Sequence, residues 1–132
     1  MRRLSPFAVL CLLSGCASFG GGDNGEVGRK YVAFFAKGSS ALDAPAEGIV
    51  SQAALVASHH PDLSLVVAGY AAAHGNIDAD QALSAARADT VSAALQRDGV
   101  PASRITERAR PPANEDPGVA ARRVEIGFVS SP

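Results

Sequence analysis

The sequence predicts an α+β fold: a two-layer sandwich in which two helices cover one face of a small mixed sheet, in the order β-α-β-α-β-β. Apolar segments of strand length alternate with two longer segments in which apolar residues recur at helical spacing. The 132 residues, 47% of them hydrophobic and 19% charged, suffice for one packed domain. Because aromatic residues make up only 5% and Trp is absent, the core must consist mainly of Ala, Val, Leu and Ile.

Four short segments predict the strands. Residues 31–35 (YVAFF) are apolar, β-branched and aromatic, which predicts a buried first strand. Residues 63–68 (LSLVVA) predict the second strand, and residues 104–109 a weaker third one. Over residues 124–128 (VEIGF) apolar residues alternate with Glu and Gly, which is the pattern of a half-buried final strand.

Two helices are predicted between these strands. Asp43 is a suitable N-cap for the first helix, which ends before Pro61. Either Asp78 or Asp80 can cap the second helix, which runs to about Asp98. Helices of this length can cover one face of a four-stranded sheet, which gives the two-layer arrangement.

Residues 1–15 have the layout of a secretory signal peptide. Two arginines come first, and the apolar segment that follows is too short to span a bilayer as a helix. The segment ends in LSGC (13–16), which resembles a bacterial lipobox, so we expect cleavage before Cys16 and acylation of its thiol. Ala17 is typical of lipoproteins that are sorted to the outer membrane. An ordinary signal peptide with a chance cysteine is the alternative.

The residues that follow predict a tether. Residues 17–28 are Gly-rich and cannot bury enough apolar surface to fold. A coil of this length spans roughly 20 Å on average and about 40 Å at full extension. The predicted organisation is a signal peptide (1–15), a lipidated Cys16 with a tether (16–28), and a folded domain (29–132) held close to the membrane.

Charge and composition argue against several functional classes. The 12 Lys and Arg residues against 13 Asp and Glu give a net charge of −1, without the basic excess of a nucleic-acid-binding protein. His59, His60 and His74 do not have the spacing of a metal site and are expected at the surface, although His74 lies in a loop that can line a cleft. No nucleophile-and-base motif or phosphate-binding loop is present, so we expect neither catalysis nor a cofactor.

Arg87 does not fit the apolar face of the second helix. It lies four residues after Leu83, on the stripe that faces the core. A guanidinium there must extend to solvent, pair with an acid or face a solvated cleft. Periodicity alone favours a structural ion pair, with Asp78, Asp80 or Glu125 as the partner, over a ligand site.

Five segments of the folded part carry a resemblance to a known family. They are FFAKGSSAL (34–42), VVAGYAAAHG (66–75), QALSAARADTVSAAL (81–95), DGVPASRI (98–105) and ARRVEIGF (121–128). Together they resemble the OmpA-like domain, the peptidoglycan-associated module of Gram-negative envelopes. With the lipobox in front, the whole chain resembles a small peptidoglycan-associated lipoprotein.

The resemblance implies a cleft that binds diaminopimelate of the peptidoglycan stem peptide. In the family an Arg of the second helix binds the carboxylate, and it matches Arg87, so that a ligand contact and an ion pair both remain open for this residue. The family's Asp, which binds the ammonium, is replaced by Ala72. Tyr70 and His74 share the loop of Ala72 and Asp80 lies near it, so these three and Arg87 are the expected binding residues, with Asp78 or Asp80 as the candidate replacement for the missing acid.

The resemblance therefore predicts an outer-membrane lipoprotein that faces the periplasm. Weak, non-covalent binding to peptidoglycan would link the cell wall to the outer membrane. The alternative is a protein-interaction module that has the fold without the ligand and docks an envelope protein through the former cleft or the sheet edge.

Overall fold

Two helices pack on one face of a four-stranded sheet. The computed structural model describes residues 25–72, 76–110 and 118–131. The strands are β1 (Lys30–Phe34), β2 (Leu63–Gly69), β3 (Ile105–Ala109) and β4 (Arg123–Ser130), and the helices are α1 (Ala44–His59) and α2 (Ile77–Arg97). The strand order is β1-β4-β2-β3, with β2 parallel to β3 and the other neighbouring pairs antiparallel. The predicted α+β sandwich and its β-α-β-α-β-β order are confirmed.

The core lies between the helices and the sheet and consists mostly of aliphatic side chains. Val50 of α1 and both Val91 and Leu95 of α2 are completely buried. They face Leu65 of β2 and Ile126 of β4, which are also completely buried. The described part of the chain thus builds its core from the residue types that the composition predicts.

β1 is an edge strand and only half-buried, so the prediction of a buried first strand is wrong. It pairs with β4 alone, and Ala33 is its one fully buried residue, whereas Phe34 is 46% exposed. Phe35, the last residue of the predicted strand, lies beyond β1 and packs its side chain into the core. An apolar segment shows strand propensity but not whether the strand has one neighbour or two.

The helix N-termini agree with the prediction for α1 and differ for α2. The Asp43 carboxylate accepts a backbone hydrogen bond at 2.9 Å, as expected of an N-cap. The N-cap of α2 is Asn76, whose side-chain oxygen accepts a backbone hydrogen bond at 3.1 Å, so the prediction of Asp78 or Asp80 is wrong. Asn caps a helix as well as Asp does, and the earlier start places Asp80 one turn inside the helix.

The last residues of the predicted tether contact the sheet. Val27 forms an isolated parallel bridge with Phe128, and the Gly28 N–H donates to the Phe128 carbonyl at 3.4 Å. Residues 1–24, with the predicted signal peptide and Cys16, lie outside the described residues, as does His74. No helix within the described ranges is long and apolar enough to cross a membrane.

Arg104 lies in a 3-10 turn, Ala102–Arg104, and not in β3 as predicted. Its guanidinium donates to the carbonyls of Ala57 at 3.1 Å, His60 at 2.8 Å and Leu63 at 2.7 Å. These bonds tie the C-terminus of α1 to the start of β2, at the end of the sheet remote from the candidate site.

Candidate binding cleft

The buried face of α2 is polar near its N-terminus and apolar further on. Asp80 is 5% exposed, and Ser84 and Arg87 are completely buried. The three residues recur at a spacing of four and three, so they share one helix face with the buried Val91 that follows. Because charged residues are rarely buried without a specific role, this polar row marks the N-terminal half of α2 as the candidate site.

Gly69, the last residue of β2, allows α2 to lie directly on the sheet. A Cβ atom at this position would stand 2.0 Å from the Ser84 carbonyl oxygen, so only glycine fits. The Ser84 hydroxyl donates to the Gln81 carbonyl at 2.8 Å, and the Gln81 side-chain amide donates to the Ala109 carbonyl at 3.2 Å. These contacts hold the first half of α2 over the carboxyl ends of β2 and β3.

The Arg87 guanidinium joins three backbone segments. Its Nε donates to the Ser39 carbonyl at 2.8 Å, its Nη1 to the Tyr70 carbonyl at 3.0 Å and its Nη2 to the Ala36 carbonyl at 3.2 Å. Its Cζ atom lies 5.4 Å from the centre of the Phe35 ring, within the range of a cation–π contact. The side chain therefore connects the β1–α1 loop to the residue that follows β2.

No carboxylate among the described residues forms an ion pair with Arg87. Periodicity predicts a structural ion pair of Arg87 with Asp78, Asp80 or Glu125. That prediction is wrong, because Arg87 donates to backbone carbonyls instead. Burial lowers the pKa of the Arg87 guanidinium, and the positive charge of Arg122 lowers it further. Carbonyl dipoles offset only part of the cost of desolvating a cation, so Arg87 is a buried charge that no described carboxylate neutralises directly.

The side chain of Tyr70 belongs to a different network. Its ring lies under the Arg123 guanidinium, 4.0 Å from ring centre to Cζ, and its hydroxyl donates to Glu125 at 3.2 Å. Glu125 also accepts from Lys30 at 3.2 Å and from Arg123 at 3.3 Å. Burial acts to raise the pKa of Glu125, but the bonds from Lys30, Arg123 and Tyr70 outweigh it, so this pKa lies below its ordinary value. The backbone carbonyl of Tyr70 thus accepts a hydrogen bond from Arg87, whereas its side chain belongs to the ion-pair network around Glu125.

Three of the four predicted binding residues lie around the carboxyl end of β2, and of these Arg87 bonds the Tyr70 backbone carbonyl. Tyr70 follows that strand, and Arg87 and Asp80 lie on the buried face of α2, about 10 Å apart along its axis. Ala72, where the sequence resemblance leads us to expect an acid, is half-buried. His74 lies outside the described residues.

Sequence reasoning missed the residues that hold Arg87 in place. Its partners at Ala36 and Ser39 are backbone carbonyls, which residue type does not reveal. One available signal was Ser84, a second polar residue on the core-facing stripe of α2, three residues before Arg87. Within the described residues no group of three or more His, Cys, Asp or Glu side chains could hold a metal ion. The buried polar row of α2 contains a guanidinium, a hydroxyl and a carboxylate, which are groups that suit an anionic or zwitterionic ligand.

The fold and the buried arginine define a small α+β module with a row of polar side chains on the buried face of α2, over the central strands. The sequence profile of the OmpA family matches residues 34–124. The chain therefore belongs to the OmpA family.

Several solved structures share this fold at low sequence identity. The peptidoglycan-associated lipoprotein from Burkholderia pseudomallei is 20% identical, with a TM-score of 0.64 over 75% of this chain and 90% of that one. The OmpA-like domain of FopA1 from Francisella tularensis is 22% identical, with a TM-score of 0.67 over 78% and 72% of the two chains. The periplasmic domain of MotB from Helicobacter pylori is 19% identical, with a TM-score of 0.62 over 76% and 69%. No curated protein sequence matches the chain.

Proposed function

We propose that this protein is a lipid-anchored lipoprotein of the outer membrane whose OmpA-family domain faces the periplasm and binds peptidoglycan non-covalently. The family membership of residues 34–124 and the similar fold of a peptidoglycan-associated lipoprotein support the binding. The lipobox-like sequence that ends in Cys16 supports the anchor. The domain links the cell wall to the outer membrane, without a catalysed reaction and without a cofactor.

The observation that carries this proposal is the buried positive charge of Arg87. Three of its five N–H groups donate to carbonyls, one from each nitrogen, which leaves one N–H on each of the two terminal nitrogens. A carboxylate accepts two such bonds side by side and supplies the missing negative charge. Because Arg87 is completely buried, the carboxylate enters only when the covering residues move apart.

The ligand that fits this reasoning is the zwitterionic end of diaminopimelate in the stem peptide. Its carboxylate pairs with Arg87, and its ammonium requires an acid that Ala72 does not supply. Asp80 replaces that acid in our proposal, with Tyr70 and His74 contributing from the loop. The loss of one partner from a desolvated charge pair costs about 2–5 kcal/mol, roughly thirty-fold to several-thousand-fold in affinity. We therefore expect weak binding, in the millimolar range.

Cosedimentation of residues 17–132 with purified peptidoglycan sacculi tests the binding. This chain contains all four strands, both helices and the described core, so it retains the fold. Ala72→Asp restores the acid and should increase the bound fraction at least tenfold. Ala102→Asp is the matched control, because Ala102 is exposed in the turn before β3, at the other end of the sheet.

Two results would overturn the proposal. One is no cosedimentation of either the unmodified chain or Ala72→Asp at physiological salt. The other is an equal gain from Ala72→Asp and Ala102→Asp, because that gain would not depend on the cleft. Asp80→Asn tests the replacement acid: it should weaken binding in the unmodified chain and matter much less in Ala72→Asp.

The lipid anchor is tested in the full chain. Cys16→Ser removes the thiol that the lipobox presents. The variant should incorporate no labelled fatty acid and should leave the membrane fraction. Continued acylation of Cys16→Ser would contradict the assignment of the anchor.

A protein-interaction module without peptidoglycan binding is the second candidate, and one observation favours it. Arg87 already bonds three carbonyls and is completely buried, so it also serves the structure without a ligand. Under this reading the domain docks an envelope protein through the former cleft or the sheet edge. The sacculus experiment separates the two, because only the first predicts a specific gain from Ala72→Asp.

A further inference from the structure

The face of the sheet opposite the helices carries a groove of about 420 Å³. Its floor consists of small and aliphatic residues of β2 and β4, namely Val66, Ala68, Gly127 and Val129. Gly127 has no heavy atom within 4 Å of the position where a Cβ would stand, which keeps the groove open. Val27, at the end of the predicted tether, forms one wall.

The rim of the groove is cationic. Arg29, Lys30, Arg108 and Arg110 line it, against Glu125 as its one acid. Lys30 pairs with Glu125, and Arg29 pairs with Glu26 outside the groove. The Arg108 and Arg110 side chains make no hydrogen bond or ion pair with any part of the chain that the structure describes. Two positive charges are thus available, although the whole chain carries a net charge of −1.

Exposed apolar side chains line the same groove as these charges. Val27 is 38% exposed and Val129 is 40% exposed, and both line the groove. Exposed aliphatic groups inside a ring of Arg and Lys are typical of a surface that rests on lipid headgroups, where the cations meet phosphates and the apolar groups enter the interface.

We propose that this face of the sheet docks onto the anionic phospholipid headgroups of a membrane. The inference goes beyond wall binding and takes from the proposed function only the anchor at Cys16. Val27 lies eleven positions after Cys16, which is a distance of about 38 Å at full extension. The anchored chain therefore enters the fold beside the groove, which keeps the cationic face within reach of the bilayer.

A second copy of this face fits poorly as the occupant. Two such faces would bring Arg108 and Arg110 of one copy against those of the other, and like charges repel. The cationic rim favours an anionic occupant, and a bilayer that contains anionic lipid lies at the other end of the proposed tether.

Sedimentation of residues 17–132 with vesicles tests the proposal. The vesicles contain 30 mol% phosphatidylglycerol in phosphatidylcholine, or phosphatidylcholine alone. We expect binding to the anionic vesicles that weakens with added salt, and little binding to the neutral ones. Arg108→Gln should weaken it about fivefold and Arg108→Gln with Arg110→Gln about twenty-five-fold, from the contribution of each arginine near an anionic surface.

Arg97→Gln is the matched control, because Arg97 is an exposed arginine in the last turn of α2, in the helical layer. It removes the same charge and should change binding less than twofold. Equal losses in Arg97→Gln and Arg108→Gln, equal binding to neutral vesicles, or no vesicle binding would each overturn the proposal. A loss of sacculus binding in Arg108→Gln without vesicle binding would assign this face to the wall instead. The chain here has no lipid and the vesicles have no peptidoglycan, so failure leaves the proposed function untouched.

Discussion

Replacing Gly69 by alanine tests how the cleft is built. The new methyl group would lie 2.0 Å from the Ser84 carbonyl oxygen, 3.0 Å from the Ser84 carbonyl carbon and 3.2 Å from the Ala88 Cβ. Two of these three atoms belong to the α2 backbone, so a side-chain rotation cannot relieve the clash and the helix must move off the sheet. Such a movement also strains the 3.0 Å bond between Arg87 and the Tyr70 carbonyl.

We expect Gly69→Ala to lower the free energy of unfolding by about 3 kcal/mol or more, the upper end of the range for overpacked cores. At about 4 °C or more per kcal/mol, the melting temperature should fall by about 12 °C or more. Because the chain has no Trp, urea unfolding is followed by far-UV circular dichroism.

Gly127→Ala is the control for this substitution. Gly127 lies within β4, and an added Cβ there meets no heavy atom within 4 Å. A glycine within a strand is slightly unfavourable, so Gly127→Ala should be neutral or stabilise the fold by about 0.5–1 kcal/mol. A Gly69→Ala loss below about 1 kcal/mol, or no difference between the two variants, would refute the close approach of α2.

Three further predictions concern the stability of the fold. Asn76→Ala should cost about 1 kcal/mol by removing the N-cap of α2, whereas Asn76→Asp should keep it, as urea unfolding will show. Arg104→Met should cost about 1–3 kcal/mol, because it leaves the carbonyls at the end of α1 without their donor, and Arg104→Lys should restore only part of that loss. The pKa of Glu125 is lowered by folding, so its contribution is complete above its unfolded pKa of about 4.3 and is lost as the pH falls through the folded pKa. The difference in unfolding free energy between the unmodified chain and Glu125→Gln should therefore shrink from pH 7 to pH 3.

Periodicity and turn chemistry predicted the fold well because they are local. The spacing of apolar residues located both helices, and Asp43 marked the start of α1 correctly. Local signals were ambiguous where several suitable residues compete: Asn76, Asp78 and Asp80 can all cap α2, and the structure uses the first. The half-buried state of β1 depends on its place at the edge of the sheet, which pairing across the chain decides.

Sequence patterns identified residues of the candidate site but did not predict how these residues are arranged. A charged residue on an apolar stripe identified Arg87, and its burial agrees. Its hydrogen-bond partners are carbonyls 48 and 51 residues away in the chain, and any residue type supplies a carbonyl. Residue type likewise does not reveal that the Tyr70 carbonyl accepts a hydrogen bond from Arg87 while the Tyr70 hydroxyl donates to Glu125. Hydrogen bonds that backbone carbonyls accept therefore cannot be predicted from the order of side chains in the sequence.

An NMR titration with a stem peptide that contains diaminopimelate measures whether the Arg87 guanidinium binds this ligand. The probes are the Nε–H signals of Arg87 and of Arg104, which donate to carbonyls at 2.8 Å and 2.9 Å in the two opposite ends of the fold. We expect a saturable shift of the Arg87 signal at millimolar peptide concentration, with the Arg104 signal unchanged. A titration that moves neither signal, or moves both alike, would contradict it.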